Sequence, residues 1–588
     1  MTACETAATA AARQPRVGSG VAFAVVLAVA ACVVVGCSLL VKPDASQCAT
    51  DGDCARFEGA ASGTAPVLVC VNGGCVAREA GPSRVPTAVV DCTSTQDCLV
   101  NSPYSVCRIK KCKDLLSRDC GRVVGAYTRT DAILLGAILP TFGTHKSSGL
   151  AMWRSLALAV DDFQRGIPLP LLADGGDGGH DAGGADGGLG ARRPLAVVVC
   201  NESEDPVRAA RHLVDDVGVP LIIGPAFSAP MRTVADQVTL GAGVLLISPR
   251  SVVGPLSADP DHLVWRMAPP VLDEAAALSR VVDGVIEPRL AVRAPGVALT
   301  VAVVSKRDAG SVALAAALLA TLRFNGVSAA ENKLAGRFLA AAYDDADDPA
   351  TPNASSTYGD AVSAVVDAAP ALVIVVGDVE GALDIVPGID AAWKSATGLP
   401  LYLMTSGGLV SELLTQIGSD DALRRRILLT SPGSRTAPAD ALLARYFDIY
   451  RGVGDKEAFG MPQTFDALYA TAFALATPAA SAPGAVPTGQ TTSAGLRLLL
   501  GARASAKIAF RPSTIEPIFT AVASAAPIDV EGASGPLDFD VEAGVAEASV
   551  QVWCVQRGDV GPPRFAFAGL EYMPPAAALT GMLTAGCL

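Results

Sequence analysis

From Asp131 onward the chain alternates short apolar runs of strand length with segments of helical period, and this confines it to βαβ units around a parallel sheet. The runs are AILLGAIL (132–139), PLAVVVC (194–200), PLIIG (220–224), VLLIS (244–248), VALTVAVVS (297–305), ALVIVVG (371–377) and LPLYLMT (399–405). All are rich in Leu or β-branched residues and lack in–out alternation, as strands covered by helices on both faces require. After the first run, Leu150, Trp153, Ala157 and Val160 would share one helix face. After the second, Asp205-Pro206 places a capping carboxylate and a first-turn proline ahead of a face made of Val207, Ala210, Val214 and Val217. Such α/β sheets bind ligands at the carboxyl ends of their strands, so the loops after these runs are where a site is expected. At 588 residues the chain exceeds one core, and two or more domains are expected.

The stretch from Val17 to Cys37 reads as a signal peptide: Arg13 and Arg16 form a positive flank, and the apolar run is too short for a stop-transfer helix. Val34-Val35-Gly36-Cys37 resembles the bacterial lipobox, in which the Cys becomes the acylated first residue of the mature chain. Val29-Ala30-Ala31-Cys32 overlaps it, but cleavage there would leave Val33, Val34 and Val35 as an exposed apolar start. The alternative is an uncleaved membrane anchor. In either case the remaining chain faces an extracytoplasmic space, and on the Cys37 reading it is attached to the membrane through the lipid anchor only. Ser38 after the acylated Cys, in place of Asp, resembles outer-membrane sorting in diderm bacteria.

Fifteen cysteines agree with an oxidising compartment. Eight fall into a repeat: Cys48, Cys54, Cys70 and Cys75, echoed by Cys92, Cys98, Cys107 and Cys112. Modules of about 20 to 28 residues bury too little apolar surface to fold unaided, so two disulfides each are expected. Three pairings per module are open. Zinc is disfavoured, because the pairs lack the two-residue knuckle spacing and the segment has no His. The modules read as a stalk between lipid and main domain, with partner binding as an alternative. Cys554 with Cys587 would clasp the C-terminal tail and leave Cys120 with Cys200, though either of that last pair could be a buried free thiol.

A formal charge of −13 argues against a nucleic-acid partner or attraction to anionic headgroups. The Gly/Asp-rich stretch 173–188 reads as a flexible insertion, and its Asp174, Asp177, Asp181 and Asp186 match no EF-hand spacing. Residues 343–360 read as a polar surface loop. There is no Gly-x-Ser-x-Gly elbow, Walker loop or His-Glu-x-x-His, and the four histidines are scattered. Neither an enzyme nor a cofactor nor a resident metal is expected.

The order of motifs carries a resemblance. GAILPTFG, NESEDPVRAARHLVDD, LIIGPAFSA, GVLLISPRSVVGPLS and VWRMAPP, followed by VALTVAVVSKRDAGSVALAAALLATL, FDALYATAFAL and SGPLDFDVEAG, resemble the leucine-type (branched-chain amino acid type) periplasmic solute-binding proteins. The resemblance spans roughly residues 130–555. It implies a type I periplasmic-binding fold: two doubly wound lobes, joined by three crossings, that close on a small ligand without catalysis. Lobe 1 is expected at about 130–268 and 432–536, and lobe 2 at about 270–430 and 537–555. The Cys-rich segment 37–120 would precede them and a tail, 556–588, would follow. The crossings are expected near Met267–Pro270, Leu429–Gly433 and Gly535–Asp540.

By this resemblance Ser228, at a helix start, would offer a hydroxyl and free backbone N–H groups to a carboxylate, the alternative being a simple helix cap. Arg250 and Ser251 fall where the family contacts its ligand, although the usual Thr one residue on is Val252. The acidic residue that holds a ligand ammonium should fall near Ser406 or Gly407, and neither is acidic. An aromatic contact after Gly377 is replaced by Asp378, which either supplies the missing charge or is a solvated surface group. Phe227 is either an apolar wall of the site or core. The function implied is capture of a small polar, amino-acid-like molecule between the lobes for an ABC-type permease. The alternative is a sensor or envelope-assembly lipoprotein that uses the same fold and its Cys-rich modules to bind a partner.

Overall fold

The computed structural model describes residues 68–71, 74–77, 91–100, 102–168, 192–252, 259–346, 351, 354–395, 398–450, 459–477, 486–503, 507–557 and 561–588. The signal peptide, Cys37, Cys48, Cys54 and the insertion 173–188 lie outside them. The chain divides into two units, Met1–Ala88 and Val89–Leu588. In the first, an antiparallel hairpin of Leu68–Val71 and Gly74–Ala77 sets Cys70 opposite Cys75 in register.

The second unit begins with the later Cys-rich module, a short helix Thr95–Leu99 followed by the hairpin Ser105–Arg108 and Lys111–Asp114. Its disulfides join Cys92 to Cys107 and Cys98 to Cys112, so first pairs with third and second with fourth. Buried cysteines are themselves this module's core, as expected where apolar side chains are too few. This module packs on the first lobe. Val106 and Leu115 join that lobe's core, Arg108 donates to the Ala132 carbonyl at 3.0 Å, and the His212 ring meets the Leu115 carbonyl at 3.1 Å.

Lobe 1 contains β1 (Cys120–Gly125), β2 (Ile133–Leu139), β3 (Leu195–Asn201), β4 (Leu221–Ile223), β5 (Leu245–Ser248) and β6 (Val264–Arg266). Lobe 2 contains β7 (Val301–Lys306), β8 (Phe338–Tyr343), β9 (Leu372–Val376), β10 (Leu401–Met404) and β11 (Ile427–Pro432). Late in the chain come β12 (Asp538–Asp540), β13 (Val545–Glu547), β14 (Val550–Gln556), β15 (Arg564–Met573) and β16 (Ala578–Gly581). The first sheet is ordered β12-β13-β6-β5-β4-β2-β3-β1 and the second β8-β7-β9-β10-β11-β14-β15-β16. The middle of each is parallel; antiparallel strands close both edges of the first sheet and one edge of the second, whose other edge, β8, is parallel. β2 shows why its sequence does not alternate: Leu135, Ala137 and Leu139 enter the core on one face, and Leu134 and Ile138 the core on the other.

The helices that matter for the site are α1 (Lys146–Asp162), α2 (Pro206–Arg211), α3 (Ser228–Val234), α4 (Val271–Val281), α5 (Ala309–Thr321), α6 (Ala437–Ile449) and α7 (Met461–Leu475). α2 begins as its sequence predicts, with Asp205 accepting from the Arg208 N–H at 2.9 Å and Pro206 in the first turn. The buried face of α1 differs from expectation. Met152, Ser155, Leu156 and Ala159 point inward, while Trp153 is only half-buried, beneath the Arg122 guanidinium. The cause is α7, which is buried along its whole length and packs on α1; the Ser155 hydroxyl donates to the Met461 carbonyl at 2.8 Å.

The chain leaves lobe 1 after β6, returns after β11, and crosses a third time at Ala548-Ser549, between β13 and β14. The third crossing corrects the expected position at 535–540. Residues 538–547 instead form a hairpin on the edge of the lobe 1 sheet, where Phe539 packs against Trp265 at 5.6 Å between ring centroids. Two boundaries move with it. β1 belongs to lobe 1 although it lies before residue 130, and 564–581 is no tail but two strands of the lobe 2 sheet. Disulfides Cys120–Cys200 and Cys554–Cys587 tie these late-placed pieces down. The second and third crossings touch: the Gly433 N–H donates to the Ser549 carbonyl at 2.9 Å, and the Ser434 and Ser549 hydroxyls are 2.7 Å apart.

Candidate functional site

A cleft of about 620 Å³ lies between the lobes at the carboxyl ends of both sheets. Lobe 1 contributes the loops after β2, β3, β4 and β5; lobe 2 contributes the end of β7 and the loops after β8, β9 and β10. The walls come close together, since a Cβ built on Gly310 of lobe 2 would sit 3.6 Å from the Ser228 hydroxyl of lobe 1.

The residues singled out in the sequence are placed as follows. Ser228 begins α3, but the capping position is Phe227, and the Ser228 hydroxyl accepts instead from the Val252 N–H at 3.2 Å and from the Ser251 hydroxyl at 3.3 Å. Ser251 is fully buried and does not line the cleft; its N–H is held by the Ser248 hydroxyl at 3.1 Å. Phe227 lines the cleft and also touches the lobe 1 core. Arg250 is buried between two rings, its guanidinium carbon 4.8 Å from the Phe227 centroid and 5.2 Å from that of Phe459. Across the cleft it meets Asp378 at 3.6 Å. Asp378 is largely buried rather than solvated, and Lys306 holds its other oxygen at 3.3 Å. Ser406 lines the cleft in a tight turn of residues 406–408.

The structure adds residues not singled out in the sequence. Glu202, after β3, accepts from the Ala226 N–H at 2.7 Å and the Phe227 N–H at 2.9 Å. Glu274, in the first turn of α4, accepts from Thr430 at 3.0 Å and from the Ser406 N–H. It thus brings a carboxylate to the neighbourhood where Ser406 and Gly407 supply none. Lys306, at the end of β7, is enclosed by Asp345 at 3.0 Å, Asp378 at 3.3 Å and Glu380 at 3.8 Å. Asp308 caps α5 through the Gly310 and Ser311 N–H groups at 2.8 and 3.0 Å. Lys306 and Asp308 sit in the quoted SKRDAG run. Glu202 sits in NESED, where a polar loop after a buried strand was the available signal.

The electrostatics follow from burial. Desolvation pushes the Glu202 and Glu274 carboxyls each up to about 7, against the hydrogen bonds that favour their charged forms. Burial and the neighbouring Asp378 also raise Asp308. Asp378 behaves oppositely: burial would raise it, but Lys306, His145 and Arg250 hold it below the usual carboxylate range. Burial works against the Lys306 ammonium, yet Asp378, Glu380 and Asp345 raise its pKa, so it stays charged.

Comparison with solved structures places this architecture. A leucine-binding protein from Thermotoga maritima matches with a TM-score of 0.51 at 16% identity, covering 76% of this chain and 99% of that one. A solute-binding protein of an ABC transporter from Rhodopseudomonas palustris BisB5, in complex with 3,4-dihydroxybenzoic acid, matches at 0.50 and 13%, covering 77% and 98%. One from Rhodopseudomonas palustris HaA2, in complex with p-hydroxybenzoic acid, matches at 0.50 and 11%, covering 77% and 98%. No protein-family model matches the sequence, and no curated protein does. The chain has the type I periplasmic-binding fold of these solute-binding proteins.

Proposed function

We propose that this protein is a lipid-anchored, extracytoplasmic solute-binding protein that captures a small polar molecule between its lobes without chemically altering it, and hands it to an ABC-type permease. The observation that carries the reading is the cleft itself, enclosed by strand-end loops of two sheets and spanned by three crossings, in a fold shared with solute-binding proteins. The lipobox-like Val34-Val35-Gly36-Cys37 supports the anchor, with Cys37 as the lipidated residue, and Ser38 supports the outer membrane. No helix among the described residues is long and apolar enough to cross a membrane. On this reading Phe227, Ser228, Arg250, Asp378 and Ser406 contact or enclose the ligand, and Ser251 supports Ser228 from behind. The test is thermal stabilisation of the full-length protein by a panel of amino acids, amides, amines, short-chain acids and small peptides. A ligand at a hundred times its Kd should add about 2.7 kcal/mol. A panel without any response removes solute capture.

A second reading, a sensor or envelope-assembly lipoprotein, draws on a specific observation: Arg250 and Asp378 already face each other as an ion pair across the cleft. In vivo cross-linking of the full chain separates the two. A permease partner supports transport, whereas an envelope protein cross-linked through the Cys-rich modules supports assembly.

A further inference from the structure

We propose that the molecule held in this cleft is a small organic cation, bearing an amine or guanidinium group and no free carboxylate. The inference rests on the solute-capture reading and names its ligand class.

The first argument is that four backbone donors of the lobe 1 wall, ahead of α3 and in the loop after β5, are already occupied from within the protein. The Ala226 and Phe227 N–H groups that lead into α3 are taken by both oxygens of Glu202, at 2.7 and 2.9 Å. The Ser251 and Val252 N–H groups are taken by the Ser248 and Ser228 hydroxyls, at 3.1 and 3.2 Å. An incoming carboxylate would have to displace an internal one that is already bonded, and would sit beside it at a cost in like-charge repulsion.

The second argument is the pairing of charges. The lysine and arginines lining the cleft each face a carboxylate: Arg250 has Asp378, Arg307 has Asp344, and Lys306 has three, although the Arg250 Nε–H is itself buried without a hydrogen-bond partner. Three lining carboxyls, Glu202 from lobe 1 and Glu274 and Asp308 from lobe 2, have no cation within 4 Å among the described residues; Arg250 acts on Glu202 and Glu274, and Lys306 on Asp308, only from farther away. One oxygen of Asp308, Oδ2, is buried without any hydrogen-bond partner. Buried carboxyls left in this way are costly, and the group that relieves the cost is a hydrogen-bonding cation. The raised titration of Glu202 and Glu274 agrees, since burial disfavours their charged forms and a bound cation would offset it. Because the unpaired carboxyls come from both lobes, a cation between them would also favour closure.

The test is isothermal titration of the full-length protein in detergent with four probes: 1,4-diaminobutane, agmatine, leucine and 4-hydroxybenzoate. The expected result is binding of at least one amine and of neither acid, with affinity falling roughly tenfold or more in Asp308→Asn and Glu274→Gln. Amine binding unchanged in both variants would place the amine elsewhere and overturn the inference. Leucine or 4-hydroxybenzoate binding in the absence of amine binding would also overturn it, while leaving solute capture intact. Silence from all four probes overturns the cation inference, and the wider ligand panel then decides solute capture on its own.

Discussion

Arg250 on lobe 1 and Asp378 on lobe 2 approach to 3.6 Å across the cleft, and this contact joins the two halves through side chains rather than through the crossings. Asp378 is held at once by Arg250 and Lys306, so it is the acidic hub of the closed wall. Asp378→Asn should remove the carboxylate nearest the buried Arg250 guanidinium and leave it only the more distant Glu202, Glu274 and Asp308. It is expected to cost about 3 kcal/mol of stability, and to open the lobes in small-angle scattering. Unchanged melting temperature and radius of gyration would show that the pair contributes nothing to closure.

Glu274 is fully buried, and its folded carboxyl is pushed from 4.5 up to about 7. A carboxyl raised in the folded state gives stability below its unfolded pKa and loses it as pH rises through the folded one. Glu274→Gln keeps an acceptor for Thr430 and removes this loss. The variant should therefore gain on the parent between about pH 4.5 and 7, by on the order of 3 kcal/mol at the plateau. Arg250 is the cation that faces Glu274 and limits the gain. Melting curves of both proteins at stepped pH read the difference directly, and parallel curves would refute it.

Asp466, in the middle of α7, is completely buried and accepts from the Ala533 N–H at 2.9 Å and from the N–H and hydroxyl of Ser534, both at 2.6 Å. It anchors the segment that precedes β12. Asp466→Asn would turn an amide toward an N–H donor and should cost about 2 kcal/mol. Chemical denaturation measures it, and a neutral substitution would mean the segment is held otherwise.

The Cys92–Cys107 bond closes a separation of 15 residues, for which chain entropy alone predicts about 3 kcal/mol. Replacing both residues by Ser should lower the melting temperature. Non-reducing peptide mapping should recover Cys92–Cys107 and Cys98–Cys112 cross-links. Peptides joining Cys92 to Cys98 would contradict the pairing.

The seven apolar runs of the sequence all contain strands, because a strand covered on both faces must be apolar at every position. Edge strands escaped notice for the converse reason. β8, FLAAAY, is half-buried and half alanine, and β12 and β13 are three residues each, so none of them carries a strong continuous apolar signal. The face of α1 was misplaced because its partner α7 begins about three hundred residues later, and local periodicity cannot register which helix will cover it.

The site divides in the same way. That loops after the strands would form it, with Ser228, Arg250 and Asp378 among them, was legible because the end of a strand is a property of local sequence. Only the tertiary structure decided that Glu274, on a helix after the first crossing, would stand beside the non-acidic Ser406. It alone decided that Glu202 would occupy the backbone donors ahead of α3, and that Arg250 and Asp378 would neutralise each other. Sequence by itself determined the fold class and the loops that line the cleft, since both follow from which residues must be buried. The charge state of the cleft depended on pairings between residues far apart in the chain, and those exist only once the two lobes have met.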